Sequence, residues 1–357
     1  MAKKIFKIIG IVLLAAVVLF GGLLGWLTAT EYKPEAVENI DAAAPEGFAA
    51  KALSPGDSVS VLSWNIGYAG LGKGSDFFMD GGKNSRSADE ETVKSYLAGI
   101  SGTAFSGDGK ADVYMFQEVD ANSSRTYGID ERQTLCQGSS TFALNFSCPF
   151  VPLPLPPMGK VNSGLLTVSD YGIESAQRIA LPCPFSWPLR TANLKRCLLV
   201  NYIPLENSDK YLVMVDLHLE AYDDGEGKIA QTKMLNEFIQ SEYDKGNYVI
   251  AGGDFNQEFP GALDAYPNTH PDLWSPGSLD ESTLPEGWSF AYDASNPSCR
   301  LLNQPYNPAD TQNTQYYVID GYIVSPNVKV DSVKTLDEGF ENSDHNPVLL
   351  KVTLAAG

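Results

Sequence analysis

The chain has 357 residues, of which 43% are hydrophobic and 11% aromatic, and this content supports one large folded domain or two modest ones. The composition excludes a disordered protein. A formal net charge of −19 argues against non-specific binding of nucleic acids, because an acidic surface repels a polyanion unless basic patches or metal ions intervene.

The N-terminal stretch predicts a transmembrane helix. Residues 8–27 carry no charged side chain, and a helix of about 20 residues crosses the ~30 Å hydrocarbon core of a bilayer. Lysines precede this stretch and an acidic segment follows it, which by the positive-inside rule places the rest of the chain outside the cell. The alternative is a cleaved signal peptide, although its apolar core would be unusually long. On either interpretation the folded part is exported.

Three regions are therefore expected along the chain. Residues 1–30 hold the cytoplasmic lysines and a single-pass anchor in the plasma membrane. Residues 31–55 are rich in Ala, Glu and Pro and are expected to form a linker. Residues 56–357 form one extracellular domain.

The cysteines show no C-x-x-C spacing, so they indicate neither a zinc site nor a redox pair. Outside the cell, a disulfide between Cys136 and Cys148 could close a loop in a polar stretch. Cys197 lies in an apolar run and is expected to be a buried free thiol.

The first part of the domain predicts two strands that end at polar side chains. Residues 59–64 lead to Asn65, and residues 113–116 are followed closely by Glu118. Between them, a capping-box pattern at residues 87–90 predicts the start of an amphipathic helix. A carboxylate directly after a buried strand is costly unless it is exposed or paired, so Glu118 is a ligand candidate.

The middle of the chain adds a third strand end. Residues 122–157 are expected to be loop-like, and Arg125 within them either contacts a phosphate or is a solvated surface group. Strands are predicted at residues 163–169, 195–201 and 211–218. A histidine on an apolar strand is usually a core residue, but His218 ends its strand before a loop rich in Gly and Asp.

The stretch Y-V-I-A-G-G-D-F-N-Q follows a helix predicted at residues 229–243 and reads as a buried strand that ends in a tight turn. It delivers Asp254 and Asn256 to the rim of a sheet, where ligand sites are usually built. A carboxylate and an amide suit a hard cation or a phosphoryl oxygen. An Asx-turn that only caps backbone amides is the alternative.

The C-terminal part brings in the remaining polar groups. Residues 260–315 are rich in Pro, Gly and Asn with scattered aromatics, and they predict an ordered insertion beside the site. Asp320 lies inside an apolar strand, where burial demands a partner. Asp344 and His345 directly precede the last predicted strand, at residues 347–352.

These groups together indicate a reaction. The motifs G-x-S-x-G, G-x-x-x-x-G-K-[ST] and H-E-x-x-H are absent, so serine hydrolysis, P-loop chemistry and zincin chemistry lack their parts. What remains is a set of carboxylates and amides suited to Mg²⁺ or Mn²⁺ and two histidines suited to proton transfer. This inventory fits metal-assisted attack of water on a phosphoester.

Six motifs in this order, W-N-I-G, F-Q-E-V, D-L-H-L-E, G-G-D-F-N, V-I-D-G-Y and S-D-H-N-P, resemble those of the endonuclease/exonuclease/phosphatase superfamily, which has the deoxyribonuclease I-like fold. The resemblance covers about residues 56–357. It implies an α/β fold of four layers, in which two mixed β-sheets pack face to face between helices, with the site at one rim.

The resemblance also implies a metal side of the site. Glu118 would be the principal Mg²⁺ ligand, Asn65 would contact the metal or the phosphate, and Asp344 would complete this side.

On the reacting side, Asp254 and Asn256 would orient the attacking water and the phosphoryl oxygens. His345, oriented by Asp320, would be the general base or would stabilise the transition state, and His218 would be the opposing proton donor. Members of the superfamily differ in whether the residue at the position of Asp254 or of His345 is the base.

One departure from the pattern concerns the partner of His218. Some relatives carry a further Glu in the middle of the chain that pairs with this histidine, and Asn162 lies in that neighbourhood here.

The substrate class follows from charge and tethering. The acidic chain, whose insertion at residues 260–315 offers Arg300 as its only Lys or Arg, favours a small-molecule or lipid head-group phosphoester over duplex DNA. The alternatives are a secreted nuclease of the same fold and a non-catalytic binding protein built on it.

Overall fold

The computed structural model describes residues 2–223 and 225–356. Two mixed β-sheets form its centre. The first has seven strands in the spatial order β1 (Val37–Ile40), β6 (Ser175–Ala180), β7 (Cys197–Pro204), β8 (Tyr211–His218), β9 (Tyr248–Asp254), β15 (Asp320–Val324) and β12 (Ser289–Ala291). The second has six strands in the order β16 (Val328–Thr335), β17 (Val348–Leu354), β2 (Ser58–Asn65), β3 (Val113–Asp120), β5 (Gly159–Ser169) and β4 (Ser139–Val151).

Helices and two small ribbons complete the fold. The described helices are α1 (Ala2–Ala29), α2 (Glu90–Ser106), α3 (Arg132–Leu135), α4 (Glu226–Asp244) and α5 (Ala262–Ala265). The ribbons pair β10 (Gln257–Glu258) with β11 (Gly277–Ser278), and β13 (Cys299–Arg300) with β14 (Tyr316–Tyr317).

Side chains along each central strand point alternately toward the other sheet and toward the outer helices, which gives four layers. In β2, Val61 points into the space between the sheets, whereas Leu62 and Trp64 point outward beneath α2. In β9, Ile250 points inward and Val249 packs outward beneath α4. The central strands are therefore apolar on both faces, and the predicted four-layer α/β fold is confirmed.

Both long helices of the domain form where amphipathic periodicity predicts them. α2 begins two residues later than the capping box suggests, because the side chain of Asp89, not Ser87, accepts the hydrogen bond from Thr92 N at 2.8 Å. α4 extends the predicted helix by a few residues, and its Leu235 and Ile239 are buried.

The prediction of a loop at residues 122–157 is wrong in its second half. Residues 139–151 form β4, which pairs with β5 along its length. β4 lies at the edge of the six-stranded sheet and contains Pro149 and two irregularities of register. An edge strand tolerates proline because one side of its backbone needs no partner, so the usual strand-breaking signal is misleading here.

Residues 31–55, predicted as a linker, pack along the domain instead. β1 pairs with β6 and covers an edge of the seven-stranded sheet. Further along, Lys51 Nζ lies 2.9 Å from Asp112 and 2.6 Å from Asp170. The V-E-N-I strand is too short for its alternation to be recognised in the sequence, but an exposed sheet edge favours pairing.

The cysteines are all free. The disulfide considered between Cys136 and Cys148 does not form, because the two side chains belong to different apolar clusters on different parts of the six-stranded sheet. Cys197 is a fully buried free thiol, as predicted.

Among the described residues, α1 is the helix that is long and apolar enough to cross a membrane, a test that a signal sequence also passes. Its first turns are exposed, whereas Leu27 is 5% exposed and packs with Phe146 and Met158 of the domain. The indole nitrogen of Trp187 donates to Thr28 Oγ1 at 3.1 Å. The end of α1 is therefore attached to the folded domain.

Candidate active site

Strand register brings three of the predicted residues into one row. His218 at the end of β8 is the parallel partner of Asp254 at the end of β9, and Asp254 is the antiparallel partner of Asp320 at the start of β15. All three are buried. Since neighbouring strands lie about 4.8 Å apart, the register alone places these side chains at one rim of the sheet.

The second sheet contributes Asn65 and Glu118 to the same rim. Asn65 ends β2, and its partner on β3 is Gln117. Glu118 follows in a bulge that interrupts the pairing of β3 with β5, and its φ of +57° lies in the left-handed region. Such a conformation is costly for a non-glycine residue, and such residues cluster at functional sites. It leaves Glu118 the one partly exposed residue of β3.

The loop before β17 closes the site. Trp64 Nε1 donates to the carbonyl of His345 at 2.9 Å, and Ser343 Oγ donates to the carbonyl of Asn65 at 2.8 Å. These bonds fix the loop to the end of β2. Asp344 and His345 are consequently held, buried, above the ends of both sheets.

The amide of Asn65 joins the two sheets. Its Nδ2 lies 2.9 Å from Asp254 Oδ2, 3.3 Å from Glu118 Oε1 and 3.4 Å from His345 Nε2. Asp254 accepts a second bond from the backbone N–H of Asn256 at 2.8 Å. The Asx-turn considered for this stretch does form, and it holds the Asp254 carboxylate within the cluster.

Asn256 itself adopts φ +50° and donates its side-chain amide to the carbonyl of Leu219 at 2.9 Å. This bond fixes the orientation of the side chain, which lines the cavity beside the cluster. Gly253, directly before Asp254, has no room for a side chain, because a Cβ there would lie 1.9 Å from the carbonyl oxygen of Leu217.

His345 is surrounded by acidic groups that favour its protonated form. Its Nδ1 lies 2.8 Å from Asp320 Oδ2, which also accepts a bond from Ser298 Oγ at 2.7 Å. Burial alone would lower the pKa of His345, but the carboxylate of Asp320 and the neighbouring acidic groups raise it well above its usual value. Its Nε2 lies 3.8 Å from both Asp254 and Asp344.

His218 is the opposite case. Burial, reinforced by the positive charges of Arg196 and His345, holds the pKa of His218 well below its usual value and favours the neutral ring. Its Nε2 lies 3.4 Å from Asp254 Oδ2, and its buried Nδ1 has no hydrogen-bond partner among the described residues. The two histidines thus flank Asp254, and the pKa values of their rings are shifted in opposite directions.

The carboxylates of the cluster repel one another. Burial raises the pKa of Asp344 to about 7, with a contribution from Glu118, and burial together with Asp320 raises the pKa of Asp254 to about 6. Burial also raises the pKa of Glu118. A divalent cation would relieve this excess of negative charge, and carboxylate and amide oxygens are the donors that hard cations prefer.

Two buried groups of side chains have ligand atoms within 4.8 Å of one another: Asp254, Asp320 and His345, and Cys299, Asp344 and His345. Neither group includes Glu118 or Asn65, so the fit of the site to a hard metal ion rests on the oxygen donors of Asn65, Glu118 and Asp344 at the rim.

Comparison with known proteins agrees with this arrangement. The model of the endonuclease/exonuclease/phosphatase family matches residues 62–345. The chain belongs to this family. Its members are metal-dependent hydrolases of phosphoric esters, and the chain is an enzyme of this class. No curated protein matches the chain in sequence.

Solved structures share the fold. An endonuclease/exonuclease/phosphatase protein from Beutenbergia cavernae superposes with a TM-score of 0.54 at 17% identity, over 84% of this chain and 72% of that one. One from Bacteroides vulgatus gives a TM-score of 0.53 at 18% identity, over 84% and 99%. ANGEL2, a 2′,3′-cyclic phosphatase solved with adenosine-2′,3′-vanadate, gives 0.50 at 14% identity, over 90% and 99%.

Arg125, predicted as a phosphate contact or a surface group, is buried in this family member. Its Nε and Nη2 donate to Asp120 at 2.9 and 2.8 Å, and its guanidinium lies 3.6 Å from the ring centroid of Tyr68. It lines the cavity beside Glu118 and is therefore not a solvated surface residue. Its role toward a phosphate stays a prediction.

The mid-chain partner sought for His218 is not Asn162, whose side-chain oxygen accepts a bond from Ser147 at 2.9 Å. The nearest support for His218 comes from Arg196, which sequence reasoning missed. Arg196 Nη1 donates to the carbonyl of His218 at 3.1 Å, and its Nε donates to Glu220 at 3.3 Å. Glu220 lies in the D-L-H-L-E motif, but nothing in the sequence indicates that an arginine on another strand reaches it.

A cavity of about 580 Å³ extends away from the cluster. Glu118, Asp254, Asn256 and His345 line its polar end, and Trp274 of the predicted insertion lines one side. The insertion is thus ordered beside the site, as expected. Most of the remaining wall is apolar, including residues of α1.

Proposed function

We propose that this family member is a membrane-tethered, outward-facing, Mg²⁺-dependent phosphoesterase that cleaves a small or lipid-derived phosphoester by attack of water. The observation that carries the proposal is the convergence of Asn65, Glu118, Asp254, Asp344 and the His345–Asp320 pair at one rim.

In this proposal Glu118, Asn65 and Asp344 hold the cation, with Mn²⁺ as an alternative to Mg²⁺. All three offer oxygen donors, and Glu118 is turned toward the cavity by its strained backbone. When bound, the cation neutralises charge on the phosphoryl oxygens and on the leaving oxygen.

The other residues of the site position and activate the water and stabilise the phosphoryl group. In this proposal His345, paired through Nδ1 with Asp320, donates from Nε2 to a phosphoryl oxygen, and the role of base falls to Asp254. Asp254 then accepts the proton of the attacking water, and Asn256 helps to position that water. His218, next to Asp254, contributes a hydrogen bond to the bound ester. As the P–O bond to the leaving group breaks, the leaving oxygen takes a proton from solvent.

Tethering is supported by the apolar helix α1, by the lysines that precede it and by the packing of Leu27 against the domain. The same packing favours a retained anchor over a cleaved signal peptide, because cleavage after Leu27 would remove a buried side chain from its cluster.

The topology predicts a result in intact cells. Added protease should degrade the domain, and membrane attachment should survive high salt because it is hydrophobic. Immunoblotting of protease-treated cells, with a cytoplasmic protein as the control, checks this. A protected domain, or released protein that begins beyond Leu27, would contradict the anchored outward arrangement.

The substrate preference is supported by the charge of the site's surroundings. Arg300, the one Lys or Arg of the insertion, is buried. Its guanidinium donates hydrogen bonds to backbone carbonyls such as that of Gly72, at 3.0 Å. At 1% exposure it does not offer a surface charge to a DNA backbone. Tethering to a bilayer further raises the local concentration of membrane-derived esters.

A direct contest tests both the activity and the preference. We expect kcat/KM to be at least about tenfold higher for the best ester in a set of phospholipid and nucleotide esters than for plasmid DNA, at the same salt and Mg²⁺. Turnover of none of these would overturn the phosphoesterase and favour the non-catalytic binding protein. A clear preference for DNA would overturn the substrate class alone and favour the nuclease.

A further inference from the structure

The cavity that begins at the catalytic cluster ends against the membrane helix. Phe20, Leu23, Leu24 and Leu27 of α1 line it together with His345 of the cluster. Its volume of about 580 Å³ lies in the range of about 300–1,000 Å³ that is usual for ligand pockets. Polar chemistry and an apolar helix therefore share one continuous space.

The position of α1 is fixed by ion pairs as well as by packing. The side chain of Glu31, just after the helix, is only 3% exposed, and its carboxylate lies 3.3 Å from Arg190 and 3.6 Å from Lys195. The stretch of α1 that lines the cavity covers about 10 Å of helix axis, at ~1.5 Å per residue. In a spanning helix this stretch lies in the leaflet next to the domain.

Two domain loops run beside the same stretch and expose apolar side chains. Leu153 and Leu155 are 64% and 80% exposed, and Trp187 and Leu189 are 52% and 68% exposed. Leu153 and Leu189 also line the cavity. Exposed apolar side chains clustered next to a membrane helix mark a surface that contacts lipid.

Between the two ends, the cavity wall carries unpaired polar atoms. Asn145 Nδ2 and Ser163 Oγ are buried and, like His218 Nδ1, have no hydrogen-bond partner among the described residues. All three residues line the cavity. Buried polar groups of a folded protein normally have partners, so unpaired ones in a cavity wall point to a ligand that supplies them.

From these observations we propose that the cavity is a channel for one lipid phosphoester taken from the leaflet next to the domain. The phosphate lies at the cluster of Glu118 and His345, and the polar linkage between phosphate and chain binds Asn145 and Ser163. A hydrocarbon chain occupies the apolar part between α1 and the loops at residues 151–158 and 185–194. This channel rests on the proposed function, since it presents a phosphoester to that site.

Photolabelling tests the channel without using activity. The full chain is placed in nanodiscs that contain a phosphatidylcholine with a diazirine near the end of one acyl chain, and labelled peptides are mapped by mass spectrometry. We expect labels in residues 146–158 and 185–194 in addition to α1. Labels confined to α1 would overturn the channel.

A matched pair of helix variants sharpens the test. Leu24→Trp fills the channel, whereas Leu19→Trp adds the same ring at a 73% exposed position on α1 that does not line it. Leu24→Trp should lower labelling of the two domain loops about fivefold or more, because a well-packed site does not accommodate both the added ring and a chain. Leu19→Trp should leave it within about twofold of wild type. Equal labelling in both variants would overturn the channel.

If Leu24→Trp does not fold, Leu189→Ser takes its place and Ile229→Ser is the control. The two side chains are 68% and 70% exposed, and only Leu189 lines the channel. Leu189→Ser should lower the labelling, Ile229→Ser should not, and equal labelling in both would overturn the channel.

Activity separates the channel from the proposed function. For Leu24→Trp, the ratio of kcat/KM for a bilayer phospholipid to that for water-soluble methyl p-nitrophenyl phosphate should fall at least about tenfold. An unchanged ratio would overturn the channel and leave the phosphoesterase intact. Failure of the wild type to turn over either ester, while the loops are still labelled, would overturn the proposed function and leave the lipid site standing.

Discussion

Asp254→Asn is expected to lower kcat by about 10²-fold or more, because an amide cannot take the proton of the attacking water and proton transfer contributes on this scale. Asp254 is held by Asn65 Nδ2 at 2.9 Å and by Asn256 N at 2.8 Å. The substitution keeps the shape of the side chain, so the loss should appear in kcat at saturating substrate, with a Tm close to that of wild type.

His345→Ala should lower kcat on a similar scale, about 10²-fold, since it removes the imidazole group that donates to the phosphoryl oxygen. The controls are Asp209→Asn, at an exposed position, and His270→Ala, the third histidine of the chain, which lies outside the cluster. Near-wild-type kcat in both site variants, with folding intact, would place the active site elsewhere.

Glu118→Gln is expected to act on the metal. The variant removes one negative charge from the proposed ligand set, so the Mg²⁺ concentration for half-maximal activity should rise by about tenfold or more. A Mg²⁺ titration of the initial rate measures this, and Glu91→Gln, on an 84% exposed side chain, is the matched control. A lowered kcat with an unchanged Mg²⁺ requirement would contradict the assignment of Glu118 as a metal ligand.

The fold and the site were predictable to different depths. Asn65, Glu118, His218 and Asp254 each follow an apolar run that forms a central strand, and the ends of such strands meet at a sheet rim. Residues that lie tens to hundreds of positions apart can therefore be grouped from the sequence alone. Asp320 was recognisable because a carboxylate inside an apolar strand needs a partner, which is His345.

The walls of the site were less predictable. Asn145 lies on β4, an edge strand whose proline and polar residues resemble a loop. Arg125 forms its ion pair with Asp120, which follows the bulge at Glu118 on β3, and no sequence motif marks this pair. Neither the hydrophobic periodicity nor the composition of the sequence indicates which loop packs on Leu27 of α1. These features depend on tertiary contacts between segments that carry no motif.

The most direct test of the metal-dependent site is a chelation and restoration series on the full chain, with one turned-over ester and a fixed ionic strength. Excess chelator should abolish turnover, and Mg²⁺ or Mn²⁺ should restore it in preference to Zn²⁺, because the proposed ligands are oxygens and the two histidines are committed to other contacts. Full activity in excess chelator, or restoration by Zn²⁺ alone, would contradict it.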